Sequence, residues 1–307
     1  MKKSKSDIDH IGRNAALLSA VEIGLGSFLH ALHIPFSGHF LSLNEGFLLA
    51  RATLESGNKG GCRTVALPIS VITALLKTLS PAGKKLTPML AISAQGFLFT
   101  LGPLLFGVNP VGICLGMCLL SLWAFLQPLL IYYLLFGKTL ALALLHLYKS
   151  LQSMIPFDEH QLILALSIII GLKIALALLI GLLACTLSEK NALTYFRRSL
   201  VFAEKKRART LLHPPQGLQQ SAKAAFADLF SPLFLFSLTL TTLFFFYVES
   251  RSSRLVWVLL RPLALGFILF FIIRMVSFEW IASRLERSRF SALGSSLRVA
   301  VDSLKGI

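Results

Sequence analysis

Long apolar runs, separated by short basic or Pro/Gly-containing segments, dominate the pattern of the chain. A helix needs about 20 mainly apolar residues to cross the hydrocarbon of a bilayer. By that length the runs at 14–34, 40–56, 64–80, 88–106, 111–136, 161–187, 229–248 and 255–276 predict eight transmembrane helices. The second is the most polar, because LSLNEGFLLARATLES carries Asn44, Glu45, Arg51 and Glu55, and at membrane depth it must face protein or a water-filled cavity. Between the fifth and sixth runs, KTLALALLHLYKSLQSM places Leu140, Leu144, Leu147, Tyr148 and Leu151 on one helical face, which predicts an interfacial helix. Residues 189–212 mix Tyr195, Phe196, Leu200, Val201 and Phe202 with basic side chains, before HPPQG breaks the chain at Pro214 and Pro215. The expected organisation is a six-helix membrane domain over 1–187, a basic linker over 188–228, a two-helix extension over 229–276 and a basic tail over 277–307, with no internal repeat.

Composition strengthens the membrane reading. Charged residues make up 14% and hydrophobic ones 55% of the 307 residues, and mean hydropathy is +0.74, whereas soluble domains are about a quarter charged. The net charge of +16 lies between the apolar runs instead of over a solvated face, so it orients the chain and does not mark a nucleic-acid binder. Lys2, Lys3, Lys5 and Arg13 at the amino terminus, eight Lys and Arg within 188–228, and Arg284, Arg287, Arg289, Arg298 and Lys305 near the carboxyl terminus all belong in the cytoplasm. An even number of spans satisfies this, with both termini inside and Lys84, Lys85, Lys138, Lys149, Arg251 and Arg254 as the outer minority. Cys62, Cys114, Cys118 and Cys185 form no CxxC and read as reduced apolar residues. The apolar run after the basic start contains Glu22 and lacks a small-residue cleavage site, so it reads as a retained first helix.

Several polar groups stand at membrane depth. Glu22 and Lys173 lie near the middles of the first and sixth runs, where an ionised side chain costs about 2.5–3.5 kcal/mol. They could pair with each other, be neutralised, or meet a substrate. His30, His33 and His39 fall within ten positions at the expected outer face, as a polar loop, a metal site lacking a completing Cys or carboxylate, or a lid over a small organic ligand. Lys77 ends the third run near the outer surface, where it could snorkel or contact a ligand. Gln95, Asn109 and Gln127 need partners in lipid, and Trp123 lies one turn from Gln127. Ala16, Ala20 and Gly24 form a small-residue stripe on the first helix that suits close helix approach, within the chain or by another protein. The chain has no GxxxxGK[ST], HExxH or GxSxG and no paired acidic clusters, so no cofactor, metal or catalytic residue is expected and an ATP-driven role needs an ATPase on another chain.

The small-residue first helix, the loop running from His30 into the polar second helix at Glu45, and the ALLKTLSPAGKKLTPMLAISAQG stretch together resemble the substrate-binding S component of energy-coupling-factor vitamin transporters, over residues 12–187. The resemblance implies an all-α six-helix bundle in a prokaryotic inner membrane that captures a vitamin-like small molecule. A transmembrane coupling subunit and a pair of cytosolic ATPases would be its partners. It implies docking through Ala16, Ala20 and Gly24, a lid over His30 to Asn44, and pocket positions at Gln95, Trp123, Gln127 and Lys173, with His30, His33, His39, Asn44 and Lys77 as further substrate contacts. The two-helix extension and basic linker depart from the six-span pattern, and no motif for thiamine, riboflavin, biotin or folate is present. The amino terminus also lacks the metal-binding His of the cobalt and nickel relatives. Two other functions remain compatible with the residues. One is a membrane enzyme acting on a polyprenyl or lipid substrate through Glu22, Lys173 and the histidines. The other is a non-catalytic scaffold whose basic segment 190–213 binds anionic lipid or a partner.

Overall fold

The computed structural model describes residues 5–26, 29, 37–58, 60–79, 86–136, 159–187, 218–230, 235–236, 238–239, 260, 263–264, 266–268, 270–271 and 278–306. They are helical, and no strand occurs among them. In chain order the helices are α1 (Lys5–Val21), continued by a π-helical turn at Glu22–Gly26; α2 (Ser37–Asn58); and α3 (Ala66–Leu76), ending in a 3₁₀ turn at Lys77–Leu79. Next come α4 (Leu86–Phe106), α5 (Pro110–Phe136) and α6 (Glu159–Thr186). They are followed by α7 (Leu218–Leu229), α8 (Phe278–Glu286) and α9 (Ser291–Gly306). The main core is built from α1 to α6, α8 and α9, with Leu18, Leu49, Ile69, Ile72, Phe99, Ile113, Met117 and Leu120 fully buried. Ala225 and Leu229 of α7 form a separate cluster with Phe270.

Three of these helices are long and apolar enough to cross a membrane: Thr87–Phe106, Pro110–Leu130 and His160–Thr186. The expected count of eight spans is therefore not supported. The first run changes from regular α-helix to a π turn after Val21. The second run keeps its charged residues along α2, and the third forms a helix of only 11 residues. The seventh and eighth runs, the interfacial helix expected near 140–152 and the segment 189–212 lie wholly or mostly outside the described residues.

Helices α4 and α5 meet at backbone contact. A Cβ on Gly102 would stand 2.8 Å from the Gly116 Cα, and one on Gly116 would stand 2.5 Å from the Phe99 carbonyl oxygen. The turn between them uses Gly107 at φ 83°, and Asn109 closes it. The Asn109 side chain donates to the Phe106 carbonyl at 2.7 Å, and its Oδ1 accepts the Gly112 N–H at 2.9 Å. Asn109 is thus the N-cap of a helix that opens on Pro110, a position where proline loses no hydrogen bond.

The expected basic tail is folded. Helix α9 repeats apolar residues at Leu293, Leu297, Ala300, Val301 and Leu304, and the last four of these are buried. It packs on α8 and along α1, where Gly12 makes room for Val299. Arg298, on the outer side of α9, pairs with Glu286 of α8 at 2.9 Å.

Arg51 ties α2 to the far end of α6. Its Nη1 donates to the carbonyls of Ala184 (3.0 Å) and Leu187 (2.8 Å), which the helix end leaves without intrahelical donors, and its Nη2 lies 3.7 Å from Glu55. Hydrogen bonds from a charged donor contribute about 1.5–3 kcal/mol. Arg51→Ala should therefore lower unfolding stability in detergent by about 2–3 kcal/mol. Arg51→Lys should recover only part of it, since an ammonium lacks the planar fork. An alanine variant as stable as the parent would show that the carbonyls are served otherwise.

Candidate functional site

Two groups of buried polar side chains stand at the ends of α1, α2 and α3 and between α2, α5 and α6. In the first, the Lys77 ammonium, 1% exposed at the end of α3, donates to Glu22 Oε2 at 3.1 Å and to the Glu22 carbonyl oxygen. Lys77 does not snorkel to the surface, and its ammonium is held by a carboxylate of the chain. Glu22 likewise pairs with Lys77 and not with Lys173. The reason is topological. Helices α1 and α3 pack side by side, which brings their ends together. Gly26 in the π turn leaves the space, since a Cβ there would stand 2.9 Å from Lys77 Nζ. A π turn interrupts the regular ladder of backbone hydrogen bonds, and such turns recur at functional sites. Glu45 is buried close by, accepts from Ser70 Oγ at 3.4 Å, and has Glu22 and Lys77 as its charged neighbours.

In the second group Lys173, 6% exposed midway along α6, reaches the first turn of α2. Its Nζ donates to His39 Nδ1 at 2.7 Å, to Ser42 Oγ at 3.0 Å and to the His39 carbonyl at 3.3 Å. An ammonium only donates, so His39 Nδ1 is an acceptor and the proton of the neutral ring sits on Nε2. Phe125 of α5 completes the group: its ring centroid is 4.6 Å from that of His39 and 5.7 Å from Lys173 Nζ. Lys173 belongs to the stripe Lys173, Ala177, Gly181, Ala184 by which α6 joins the bundle, and Gly181 rests on Cys114 and Met117 of α5.

Of the other expected site residues, Gln127 is buried and donates from Nε2 to the Thr87 carbonyl at 3.0 Å, joining α5 to the first turn of α4. Gln95 is buried on α4 and Asn44 is half-buried on α2. The half-buried Trp123 has its indole N–H buried with no hydrogen-bond partner among the described residues. Ala16 and Ala20 are buried inside the fold and Gly24 is half-buried; Gly12, one turn before Ala16, faces the chain's own α9. His30 and His33 lie outside the described residues.

The structure thus brings His39 and Lys173 together and leaves Lys77, Gln95 and Gln127 in other surroundings. Ser42 and Phe125 are members that sequence reasoning did not single out. Ser42 carried a signal, three residues after His39 on the same helical face. Phe125 carried none, as one of 24 phenylalanines. Compared with known proteins, the chain matches no family profile, no curated protein and no solved structure.

Proposed function

We propose that this chain is a membrane substrate-capture subunit, which binds a vitamin-like small molecule for uptake and leaves ATP hydrolysis to coupling and ATPase subunits on other chains. The observation that carries this reading is the group of Lys173, His39, Ser42 and Phe125. Three helices converge there on a buried cation, at the start of α2 and within the span His30 to Asn44 expected to form the lid. The distribution of basic residues favours an orientation with that end of α2 outside, and the resemblance to the S components implies a prokaryotic inner membrane. A binding role suits the buried carboxylates among the described residues, since Glu22 and Glu45 are engaged by Lys77 and Ser70. Docking through Ala16 and Ala20 would require the packing around α1 to open, because both are already buried. The proposed coupling contact accordingly centres on Gly24 and the exposed Leu25 beside it.

The test is chemical. The purified chain should release a small molecule on denaturation, and cells should take up that molecule only when an ATPase on another chain is intact. A chain that carries no small molecule, or uptake that persists after ATP depletion, would refute the reading.

A further inference from the structure

We propose that the Lys173 ammonium receives the single carboxylate of an anionic ligand whose flat apolar part lies against Phe125 and His39; this rests on the reading of the chain as a capture subunit. Three buried basic side chains occur among the described residues, Arg51, Lys77 and Lys173. The chain supplies the first two with carboxylates, Glu55 at 3.7 Å and Glu22 at 3.1 Å. Among the described residues no carboxylate lies within ion-pair distance of Lys173, whose three donors end on an imidazole nitrogen, a hydroxyl and a carbonyl. Neutral acceptors orient an ammonium but do not neutralise it, and a buried charge without a counter-ion is costly. A ligand carboxylate removes that cost on binding.

One of the three contacts can be exchanged for a ligand oxygen. The longest of the three contacts, to the His39 carbonyl at 3.3 Å, is the weakest, and a carboxylate oxygen would replace it with a shorter, charge-assisted bond. His39 Nδ1 and Ser42 Oγ then keep the amine aimed. The Phe125 and His39 rings, tilted by 53° to each other, give a planar group two faces to rest on. Lys173 is also the first buried side chain along α6, since no residue from His160 to Leu172 is buried. Charge balance selects a monoanion. One ammonium neutralises one carboxylate, whereas a phosphate of about −1.5 to −2 charge would leave excess negative charge in a poorly screened setting.

The experiment isolates the parent chain, Lys173→Met, Lys173→Arg and Ser42→Ala from native membranes in detergent and identifies the small molecules released on denaturation by mass spectrometry in both ion modes. The parent should release a compound with one carboxylate. Lys173→Met should retain at least about tenfold less of it, Lys173→Arg clearly more than Lys173→Met, and Ser42→Ala an amount near the parent's. If Lys173→Met does not fold, the parent alone decides: millimolar benzoate should strip the compound where benzyl alcohol, its neutral counterpart, does not. A compound that is neutral, cationic or phosphorylated overturns the carboxylate inference and leaves capture standing. Equal retention by Lys173→Met, or equal stripping by the two probes, has the same consequence. No released compound from the parent removes the capture reading and this inference together.

Discussion

Lys77→Met is expected to destabilise the chain by about 3–5 kcal/mol in mixed-micelle unfolding, the range for breaking a buried ion pair from one side. The change strands the Glu22 carboxylate, 3% exposed, and removes the donor that bonds both Glu22 Oε2 and the carbonyl of the π turn. Glu22→Gln should cost less, because Lys77 keeps the backbone carbonyl as a partner. The double variant Lys77→Met with Glu22→Gln should be more stable than the sum of the single losses predicts, since neither buried charge then lacks its counter-ion. Strictly additive losses would mean that the two side chains do not depend on each other, contrary to their 3.1 Å contact.

Gly116→Val is expected to be comparably damaging through a different cause. The first side-chain carbon would lie 2.5 Å from the Phe99 carbonyl and 3.1 Å from the Phe99 ring, so α4 and α5 would have to separate along their closest stretch. Overpacking of side chains costs about 1–3 kcal/mol. Here backbone is the obstacle and no rotamer relieves it, which places the loss at about 3 kcal/mol or above. Gly171→Val on the exposed side of α6, where a Cβ meets nothing within 4 Å, should stay within about 1 kcal/mol of the parent. Size-exclusion profiles and unfolding midpoints of the two variants make the comparison, and equal midpoints would contradict the close crossing.

The Lys173 group was half legible in the sequence. His39 and Lys173 stood out because a lysine in an apolar run and a histidine at the start of a polar helix both need partners. Which partners they take depends on how α2, α5 and α6 face one another, and periodicity within one helix is silent on that. The same gap explains Glu22. Two opposite charges at membrane depth invite pairing, yet Lys77, at the end of a short helix, reaches the carboxylate first because α3 lies beside α1. Helix α9 was legible in principle: Leu293, Leu297, Ala300, Val301 and Leu304 keep a helical stripe, which the surrounding arginines obscured.

By itself the sequence determined the helical, membrane-type character of the chain and the polar residues that could not face lipid, because hydropathy and helical period are properties of local segments. Tertiary structure alone decided which buried charges neutralise each other, that α9 lies along α1 and that Lys173 ends on His39 and Ser42, with no carboxylate among the described residues within ion-pair distance. Each of these depends on the relative rotation and depth of helices far apart in the chain. A rotation of 100° per residue about a helix axis turns a side chain from one neighbour to another while leaving the linear pattern of apolar positions unchanged.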